Sequence, residues 1–529
     1  MRIAPSLLVV PLLLLSAVSA SAFAAETAAA LLGAPTYLPT AERPVGWRGD
    51  GTGRYPGATP PLTWERKRSD GGYETKGILW MTPLPHNGVS TPIVVGQRVF
   101  LATEHTDLVC LDKASGRILW IRSNPEFEGL PEEERNADPA YAEKLAPLAP
   151  QLLKANADAA EELNAQQAGA MTSPARQPGP ALAKKRALEK QIWDGQLAIY
   201  KKEEYRRYGP QNVFGYAGTT PVSDGKNVFA FFPTGVSVCY DLAGNRKWIA
   251  FGHGNGAEHG NFASPVLCQN QFIVWAHELR SYDATTGKLL WTNPCQPRNT
   301  YGSTFRFQSG GDWVVASQNG VFVRIRDGKL IWNKPNAFAF DDAVPTPIVE
   351  RGVIYAHGGY KDEVGFKAYK IPASTDSGSV TPALTMKSDW AESEMSSKKN
   401  FGQSYTASPL CVDGLTYRIT EGGGLIVNDG ATGETIYRKV LPMKAKTEYW
   451  NWGGASASPT LAGKHIYLMD NQGTTVVIEP GKDYKQLAQN LIEESRDGKD
   501  QVQNLASPVF DGARMYYRTP GYLYCIGAK

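Results

Sequence analysis

Histidine is scarce in this chain, yet two of its seven histidines lie close together in a glycine-rich stretch. His253 and His259 are six residues apart, with Glu258 beside the second. Imidazole and carboxylate groups are zinc ligands, but no third ligand is evident and the helical spacing of zinc proteases is absent. Asp341 and Asp342 offer the hard oxygen ligands that Ca²⁺ prefers. Metal binding at either group stays an open alternative.

The chain lacks the local motifs of several enzyme classes. It contains no Gly-x-Ser-x-Gly elbow, no His-Glu-x-x-His helix and no phosphate-binding loop. A formal net charge of +3 over 529 residues gives no general attraction to nucleic acid or to an anionic membrane. The 53 Gly, 13 Trp and 24 Tyr indicate tight turns between aromatic-rich strands, which disfavours a helical bundle and a disordered chain.

An internal repeat supplies the elements that must position these groups. Trp80 and Trp120, Trp248 and Trp291, and Trp291 and Trp332 are separated by 40 to 43 residues. Each unit begins at Ser/Thr-Pro, continues as an apolar run that a glycine turn reverses, passes Asp-x-x-Ser/Thr-Gly and ends at the aromatic residue. Four short strands in ~40–45 residues is the period of a β-propeller blade.

Counting the unit openings predicts an all-β fold, an eight-bladed β-propeller of four-stranded blades. A seven-bladed ring is the alternative if the degenerate fourth unit is not a blade, although its Asp327-Gly328 turn and Trp332 favour one. The last unit ends without an outer strand, whereas residues 77–80 resemble an outer strand without a blade. We therefore predict that this N-terminal strand completes the last blade and closes the ring. The openings are Thr91-Pro92, Thr220-Pro221, Ser264-Pro265, Thr304-Phe305, Thr346-Pro347, Ser408-Pro409, Ser458-Pro459 and Ser507-Pro508.

The segment before each inner strand of a propeller lies at one mouth of the central channel. Polar and aromatic groups that converge there are the usual form of a ligand site, although turns favour Asn, Asp and Gly for backbone reasons alone. Arg306 stands where other units have an apolar residue, so it needs a carboxylate such as Asp341 or an anionic ligand. We assign no catalytic residue. The candidate ligand- or partner-binding residues are His86, Asn87, Tyr216, His259, Asn261, Tyr301, Arg306, Asp341, Asp342, Tyr405, Trp452 and Asn504.

One long insertion, residues 123–208, interrupts the repeat between the first and second blades. It is rich in Ala, Glu, Lys and Gln, and prolines between residues 172 and 180 divide it into two halves. We predict a helical hairpin with arms of about 20–28 residues, which either packs on the propeller wall and on itself or serves as a lid or docking arm for another protein. The apolar residues at helical spacing are Tyr141, Leu145, Leu148 and Leu152, and then Leu188, Ile192 and Ile199.

The start of the chain reads as a cleaved export signal over residues 1–25. Arg2 precedes an apolar run from Leu7 to Leu15, followed by small residues, and this run is too short to span a membrane. No cysteine lies near the cleavage region, so lipid attachment is not expected. Residues 26–45 are expected to be a flexible segment and residues 46–529 the propeller. The sequence predicts a periplasmic or secreted, monomeric protein without a membrane span.

Export permits disulfides, and the six cysteines are an even number. Cys110, Cys239 and Cys525 follow similar apolar stretches, so they occupy equivalent positions in different repeats. Such positions lie a sheet apart, beyond disulfide reach. We expect these three to be free, buried side chains, whereas Cys268, Cys295 and Cys411 are undecided.

The stretch of residues 112–120, DKASGRILW, resembles the PQQ-like (quinoprotein-type) repeat. That repeat is shared by quinoprotein dehydrogenases and the outer-membrane assembly protein BamB. The resemblance covers residues 46–120 and 212–529, and the opening WRGDGTG and the ending LYCIG are similar to the BamB-like branch. The repeat implies the fold, but it serves enzymes and non-enzymes alike.

Two functions follow from this resemblance. The first is an exported, non-catalytic binding scaffold for a protein or peptide partner, with no cofactor. The alternative is a PQQ-dependent dehydrogenase of alcohols or sugars that uses the channel-mouth residues with Ca²⁺. Many alcohol-oxidising quinoproteins carry two adjacent cysteines over the cofactor, and some carry a Cys-x-x-Cys-His haem motif. This chain has neither, which favours the scaffold, although sugar-oxidising members use other arrangements.

Overall fold

Most of the described secondary structure is antiparallel β-sheet, with one helical insertion. None of the described helices is long and apolar enough to cross a membrane. The computed structural model describes residues 1, 30–173, 178–201, 217–252, 254, 263–275, 278–294, 301–318, 320–333, 344–358, 365–377, 381–387, 406–445, 454–494 and 505–528.

The strands are numbered in chain order. Those before the third repeat are β1 (Arg54–Tyr55), β2 (Glu65–Ser69), β3 (Gly72–Lys76), β4 (Ile78–Pro83), β5 (Ile93–Val95), β6 (Arg98–Thr103), β7 (Asp107–Asp112), β8 (Ile118–Ser123), β9 (Val222–Ser223), β10 (Asn227–Phe232), β11 (Val236–Asp241) and β12 (Arg246–Phe251). The next are β13 (Val266–Cys268), β14 (Gln271–Trp275), β15 (Leu279–Asp283), β16 (Leu289–Asn293), β17 (Phe305–Ser309), β18 (Asp312–Ala316), β19 (Val321–Arg324), β20 (Leu330–Asn333), β21 (Ile348–Glu350), β22 (Val353–Gly358), β23 (Gly365–Lys370) and β24 (Thr381–Lys387). The last are β25 (Leu410–Val412), β26 (Leu415–Ile419), β27 (Gly424–Asp429), β28 (Thr435–Val440), β29 (Thr460–Ala462), β30 (His465–Met469), β31 (Thr474–Glu479), β32 (Lys485–Ile492), β33 (Val509–Asp511), β34 (Arg514–Arg518) and β35 (Tyr522–Gly527).

Seven sheets are four-stranded propeller blades. Six are formed by consecutive strands, from β5–β8 through to β25–β28. The seventh, the closing sheet, has the order β33-β34-β35-β4 and joins the two ends of the chain. Trp80 of β4 lies opposite Cys525 of β35 in an antiparallel pair. The predicted closure by an N-terminal strand is therefore correct.

The prediction of eight four-stranded blades is wrong, because among the described residues only seven sheets have that form. The remaining sheet has seven strands, since residues 54–76 add to the unit β29–β32 at both edges. At the inner edge β1 pairs in parallel with β29, and at the outer edge β2 pairs in parallel with β32 and carries β3. Repeat counting cannot show such additions, because residues 54–76 lie outside the repeat. The degenerate fourth unit does form a sheet, β17–β20.

Neighbouring sheets are joined by a recurring contact between a tryptophan and a glycine. The outer-strand Trp248 lies against Gly287 in the turn of the next sheet, and Trp291 lies against Gly328 in the same way. Side chains at these glycines would come within 2.6 Å and 2.7 Å of the indole rings. The glycines also have φ of +73° and +69°, a region that favours glycine. The tryptophan of one repeat and the turn glycine of the next repeat are therefore in contact across the boundary between two sheets.

Hydrogen bonds hold this joint in place. The indole nitrogens of Trp248 and Trp291 each donate to a carbonyl of the next sheet, that of Ala284 or Ile325, at 2.9 Å. Within the turn, Asp283 Oδ1 accepts from the backbone N–H of Thr286 at 2.8 Å. The Asp and Thr of the signature thus stabilise the turn. The glycine in that turn leaves room for the indole ring of the tryptophan.

The described cysteines are free and buried, as predicted for Cys110, Cys239 and Cys525. Cys110 and Cys239 pair across strands with Trp120 and Trp248, so they belong to the joint just described. The undecided Cys268 and Cys411 are also free and buried. Cys295 lies outside the described residues.

The insertion forms the predicted helical hairpin. Its helices are α1 (Glu132–Arg135), α2 (Leu148–Ala170) and α3 (Pro180–Tyr200), of which α2 has 23 residues and α3 has 21. The predicted apolar residues of the two arms share one core, in which Leu152 and Ile192 are buried. The other side of α2 packs on the ring: Asn164 donates to the carbonyl of Ile118 and accepts from its N–H, at 3.0 Å and 2.7 Å. The helix therefore covers the open edge of β8.

The segment of residues 45–55 crosses the channel. At one side Val45 pairs with Ser223 of β9, and at the other Arg54 and Tyr55 form β1 beside β29. In between, the fully buried Arg48 donates to the carbonyl oxygens of Pro409 and Pro459 at 2.7 Å each. Burial lowers the pKa of Arg48 to about 10, so the guanidinium remains charged at neutral pH. Arg48 thereby ties the crossing segment to two inner strands.

Replacing Arg48 with Met should loosen this segment, because two buried carbonyl oxygens lose a charged donor. We expect the free energy of unfolding to fall by about 2–3 kcal/mol and amide hydrogen exchange across residues 45–55 to accelerate. Urea denaturation and exchange mass spectrometry measure the two effects. Arg43→Met is the control, since Arg43 is exposed and its loss should change stability by less than about 0.5 kcal/mol. Equal effects of the two substitutions would contradict the assignment.

Candidate functional site

The inner strands begin at a ring of hydroxyl groups around the channel. From Thr220 to Ser507, the backbone N–H of each opening residue donates to the hydroxyl of the next opening. Six such bonds of 2.8–3.3 Å join Thr220 to Ser264, Ser264 to Ser303, Ser303 to Thr346, Thr346 to Ser408, Ser408 to Ser458 and Ser458 to Ser507. The Ser/Thr of the repeat opening is thus a link between neighbouring sheets.

The fourth opening was misplaced by one residue. Ser303, not Thr304, occupies the ring position, and its hydroxyl accepts from Ser264. The hydroxyl of Thr304 instead donates to the carbonyl of Ser264 at 3.0 Å. The Ser/Thr-Pro pattern hid this shift, because the fourth unit lacks the proline that marks the others.

Two cavities lie along the channel, one on each side of Trp47. The first, the mouth pocket, has a volume of about 120 Å³ and is lined by the hydroxyl ring, Tyr301 and Trp47. The second, the basal cavity, has a volume of about 390 Å³ and lies between the crossing segment and the strands β13, β17 and β21. Its lining includes Trp47, Asp50, Arg306 and Trp313. The N-terminal segment therefore divides the channel into two separate sites.

The structure separates the predicted site residues that it describes. Tyr301 lines the mouth pocket and Arg306 the basal cavity. His86 lies under α3, and Asn87 is exposed beside it. The other predicted residues, together with His253 and Glu258, lie outside the described residues: Tyr216, His259, Asn261, Asp341, Asp342, Tyr405, Trp452 and Asn504. Among the described residues no group of three metal-ligating side chains occurs.

A buried charge cluster, the Lys185 cluster, fastens α3 to the first blade. Lys185 is fully buried and contacts Asp107 of β7 at 2.6 Å and Glu189 one helical turn along. The other oxygen of Glu189 lies 2.9 Å from Nε2 of His86. The sequence alone could not reveal this contact, because nothing local to Lys185 indicates that Asp107 lies opposite. The contact shows that His86 belongs to the interface between α3 and the first blade.

The charge states within this cluster follow from burial. Burial and the nearby Lys185 ammonium lower the pKa of His86 to about 3, so the imidazole is neutral at neutral pH. Burial opposes a charge on Lys185, but Asp107 and Glu189 hold its pKa above the usual value. One cation thus faces two carboxylates, and burial together with Glu189 raises the pKa of Asp107 to about 6. The two carboxylates of the cluster are therefore stabilised by the ammonium group of Lys185.

A second buried polar group lies between the fifth and sixth blades and was missed from sequence. His357 of β22 is buried against Phe366, and neither ring nitrogen has a hydrogen-bond partner among the described residues. Burial, aided by the Arg418 charge, holds the pKa of His357 well below its usual value. Arg418 of β26 is also buried, and burial lowers its pKa to about 9. The available signal was a charged residue inside the apolar run LTYRI.

Replacing Lys185 with Met should leave two buried carboxylates without their cationic partner. We expect the free energy of unfolding to fall by about 3–5 kcal/mol, measured by urea denaturation at pH 7. Lys190→Met on the same helix is the matched control, because the Lys190–Asp194 pair is largely exposed and such pairs contribute at most about 1 kcal/mol. A Lys185→Met protein as stable as the control would show that the cluster does not fasten the hairpin.

Replacing His357 with Leu should flatten the dependence of stability on pH. The native state resists protonation of His357, whereas the unfolded chain binds that proton near pH 6.5, so stability is lost as the pH falls below 6.5. The loss is at most about 1.4 kcal/mol per pH unit. Urea denaturation at pH 7 and pH 5 should show a smaller difference for the variant than for the wild type. An unchanged difference would mean that His357 titrates normally.

Several solved structures match this chain at low sequence identity. BamB from Moraxella catarrhalis matches at 12% identity over 58% of this chain and 81% of its own, with a TM-score of 0.40. A europium-containing methanol dehydrogenase matches at 10% identity over 85% and 93%, with a TM-score of 0.46. The computationally designed Ika8 protein matches at 9% identity over 86% and 100%, with a TM-score of 0.46. No curated protein sequence gives a significant match.

The family itself is identified from the sequence. The sequence model of one family matches residues 72–155 and 275–529, which is more than half of the chain. The matched residues include all the strands from β15 to β35 and the first blade, β5–β8. The chain therefore belongs to the PQQ_2 family, described as outer membrane protein assembly factor BamB.

Proposed function

We propose that the chain is an exported, non-catalytic binding scaffold that engages a protein or peptide partner through the outer face of its helical hairpin. The observation that carries this proposal is the seating of the hairpin. The Lys185 cluster and the Asn164 contact fix it to the ring by buried groups. A mobile lid would not need such an anchor, whereas a docking arm gains from being held in one position.

The outer face of the hairpin has the composition of a contact surface. Leu153 of α2 is 54% exposed, although it is a large apolar residue. It borders a depression of about 470 Å³ between α2 and the second blade, whose rim includes Arg122, Glu128 and Arg246. An apolar centre with a charged rim is the usual anatomy of a protein interface.

We also propose that the chain is exported and monomeric. The apolar run near the start of the chain has the form of a secretion signal, and the family's description refers to an outer-membrane assembly factor. A periplasmic or secreted location without a membrane span is consistent with both. No nucleic-acid partner is proposed, because the formal net charge is only +3.

The mouth pocket does not fit the cofactor PQQ in its described lining. PQQ is a planar quinone with three carboxylates, so it needs cationic partners and room. The pocket has about 120 Å³, below the ~300–1,000 Å³ usual for such ligands, and no described lining residue carries a charged side chain. We therefore propose a function without PQQ or Ca²⁺ and derive no oxidation step.

The partner surface is tested with Leu153→Asp. A photo-crosslinking group placed on α2 should capture a partner in a periplasmic extract, and the substitution should reduce that capture at least tenfold by placing a charge in the apolar centre. Leu290→Asp is the control, because Leu290 is 47% exposed on a strand far along the chain. Capture that is unchanged by Leu153→Asp, or equally reduced by both substitutions, would refute the proposed surface.

The dehydrogenase alternative is tested separately. Purified protein is titrated with PQQ and Ca²⁺ and followed by absorbance and by dye reduction with alcohols and sugars. We expect neither saturable binding nor turnover. Saturable binding with turnover would refute the scaffold proposal whatever the hairpin does.

A further inference from the structure

The basal cavity has the size and walls of a small-molecule site. Its volume of about 390 Å³ falls within the usual range for ligand pockets, ~300–1,000 Å³. Trp47 of the crossing segment and Trp313 of β18 both line it, and each is only partly buried. Two indole rings that face one cavity offer flat apolar surfaces to a ligand.

Arg306 brings a positive charge into this cavity. Its Nη1 donates to the carbonyl of Leu267 at 2.7 Å, and its guanidinium carbon lies 5.1 Å from the centre of the Trp313 ring. These two contacts hold the guanidinium in place. The carbonyl of Leu267 and the thiol of Cys268 engage some of its five N–H groups, and the rest can face a ligand.

Asp50 of the crossing segment and Glu350 of β21 form no ion pair with Arg306. Asp50 lies in the same lining, but its Oδ1 accepts from the backbone N–H and the hydroxyl of Thr52, at 3.0 Å and 2.6 Å. Glu350 of β21 forms an ion pair with Arg54 at 2.7 Å. No described carboxylate forms an ion pair with Arg306. A guanidinium at a cavity wall that forms no ion pair with a described carboxylate is suited to bind an anion.

We propose that the basal cavity binds an organic carboxylate with a flat apolar body. The carboxylate would accept hydrogen bonds from Arg306, and the body would lie against Trp47 and Trp313. A small aromatic acid and the C-terminal carboxylate of a peptide share this chemistry. The site is distinct from the hairpin surface, so it stands or fails independently of the proposed partner binding.

Isothermal titration of the full-length protein with phenylacetate tests the site. We expect saturable binding of phenylacetate and none of its neutral analogue phenylacetamide. Arg306→Gln should weaken phenylacetate binding at least tenfold, because it removes the charged hydrogen bonds. Arg326→Gln is the matched control: Arg326 lies in the turn between β19 and β20 of the same sheet, is largely exposed and does not line the cavity.

A second variant guards against a folding defect in Arg306→Gln. Gln308 is exposed, two residues along the same strand, and lines the cavity. Gln308→Glu should leave the melting temperature unchanged and weaken phenylacetate binding at least threefold by repulsion.

The tripeptide Ala-Ala-Phe, as a free acid and as an amide, distinguishes a peptide ligand from a small aromatic acid. Binding of the tripeptide acid but not its amide supports a peptide terminus, and binding of phenylacetate alone supports a small acid. Absence of saturable binding by both acids, or equal phenylacetate affinity in wild type and Arg306→Gln, would overturn the proposal.

Discussion

The packing of an outer-strand tryptophan on the glycine of the following sheet sets the geometry of the whole ring. Trp248 on Gly287 and Trp291 on Gly328 bring neighbouring sheets to a fixed distance, because any side chain at the glycine would collide with the indole. The hydroxyl ring at the inner strands depends on that spacing, since each of its hydrogen bonds spans two sheets. The tryptophan–glycine contacts and the hydroxyl ring therefore support each other. The channel that the hydroxyl ring surrounds has a defined width as a result.

Local pattern was enough to predict the strands, the closure and the hairpin. Alternation, turn residues and the recurring tryptophan act over a few residues or one repeat, so they can be seen in one sequence. Long-range contacts could not be predicted in this way. The strands added by residues 54–76, the carbonyl partners of Arg48 and the Asp107–Lys185 contact join segments far apart in the chain. The one-residue misplacement of Ser303 has a local cause, the missing proline.

Three cations of this protein are held in different ways. Arg48 is satisfied by carbonyl oxygens and Lys185 by carboxylates, so both stabilise contacts between segments. Arg306 is held by one carbonyl and one aromatic ring, and no described carboxylate neutralises it. A cation that is positioned but not neutralised remains able to bind an anion. The sequence singled out Arg306 but could not decide between a carboxylate and a ligand as its partner, because residue type alone does not reveal the partner.

The closing sheet also has a consequence for how the protein is made. Its strand β4 lies near the beginning of the chain, and β33, β34 and β35 lie at the end. During synthesis β4 has no partner until the final strand has emerged, so an unpaired strand edge persists while all the intervening sheets form. A nascent chain that must cross a membrane before folding would avoid this exposure, because both ends then become available together. A chain cut short before β35 would carry open edges on both sides of the gap and would be prone to aggregate.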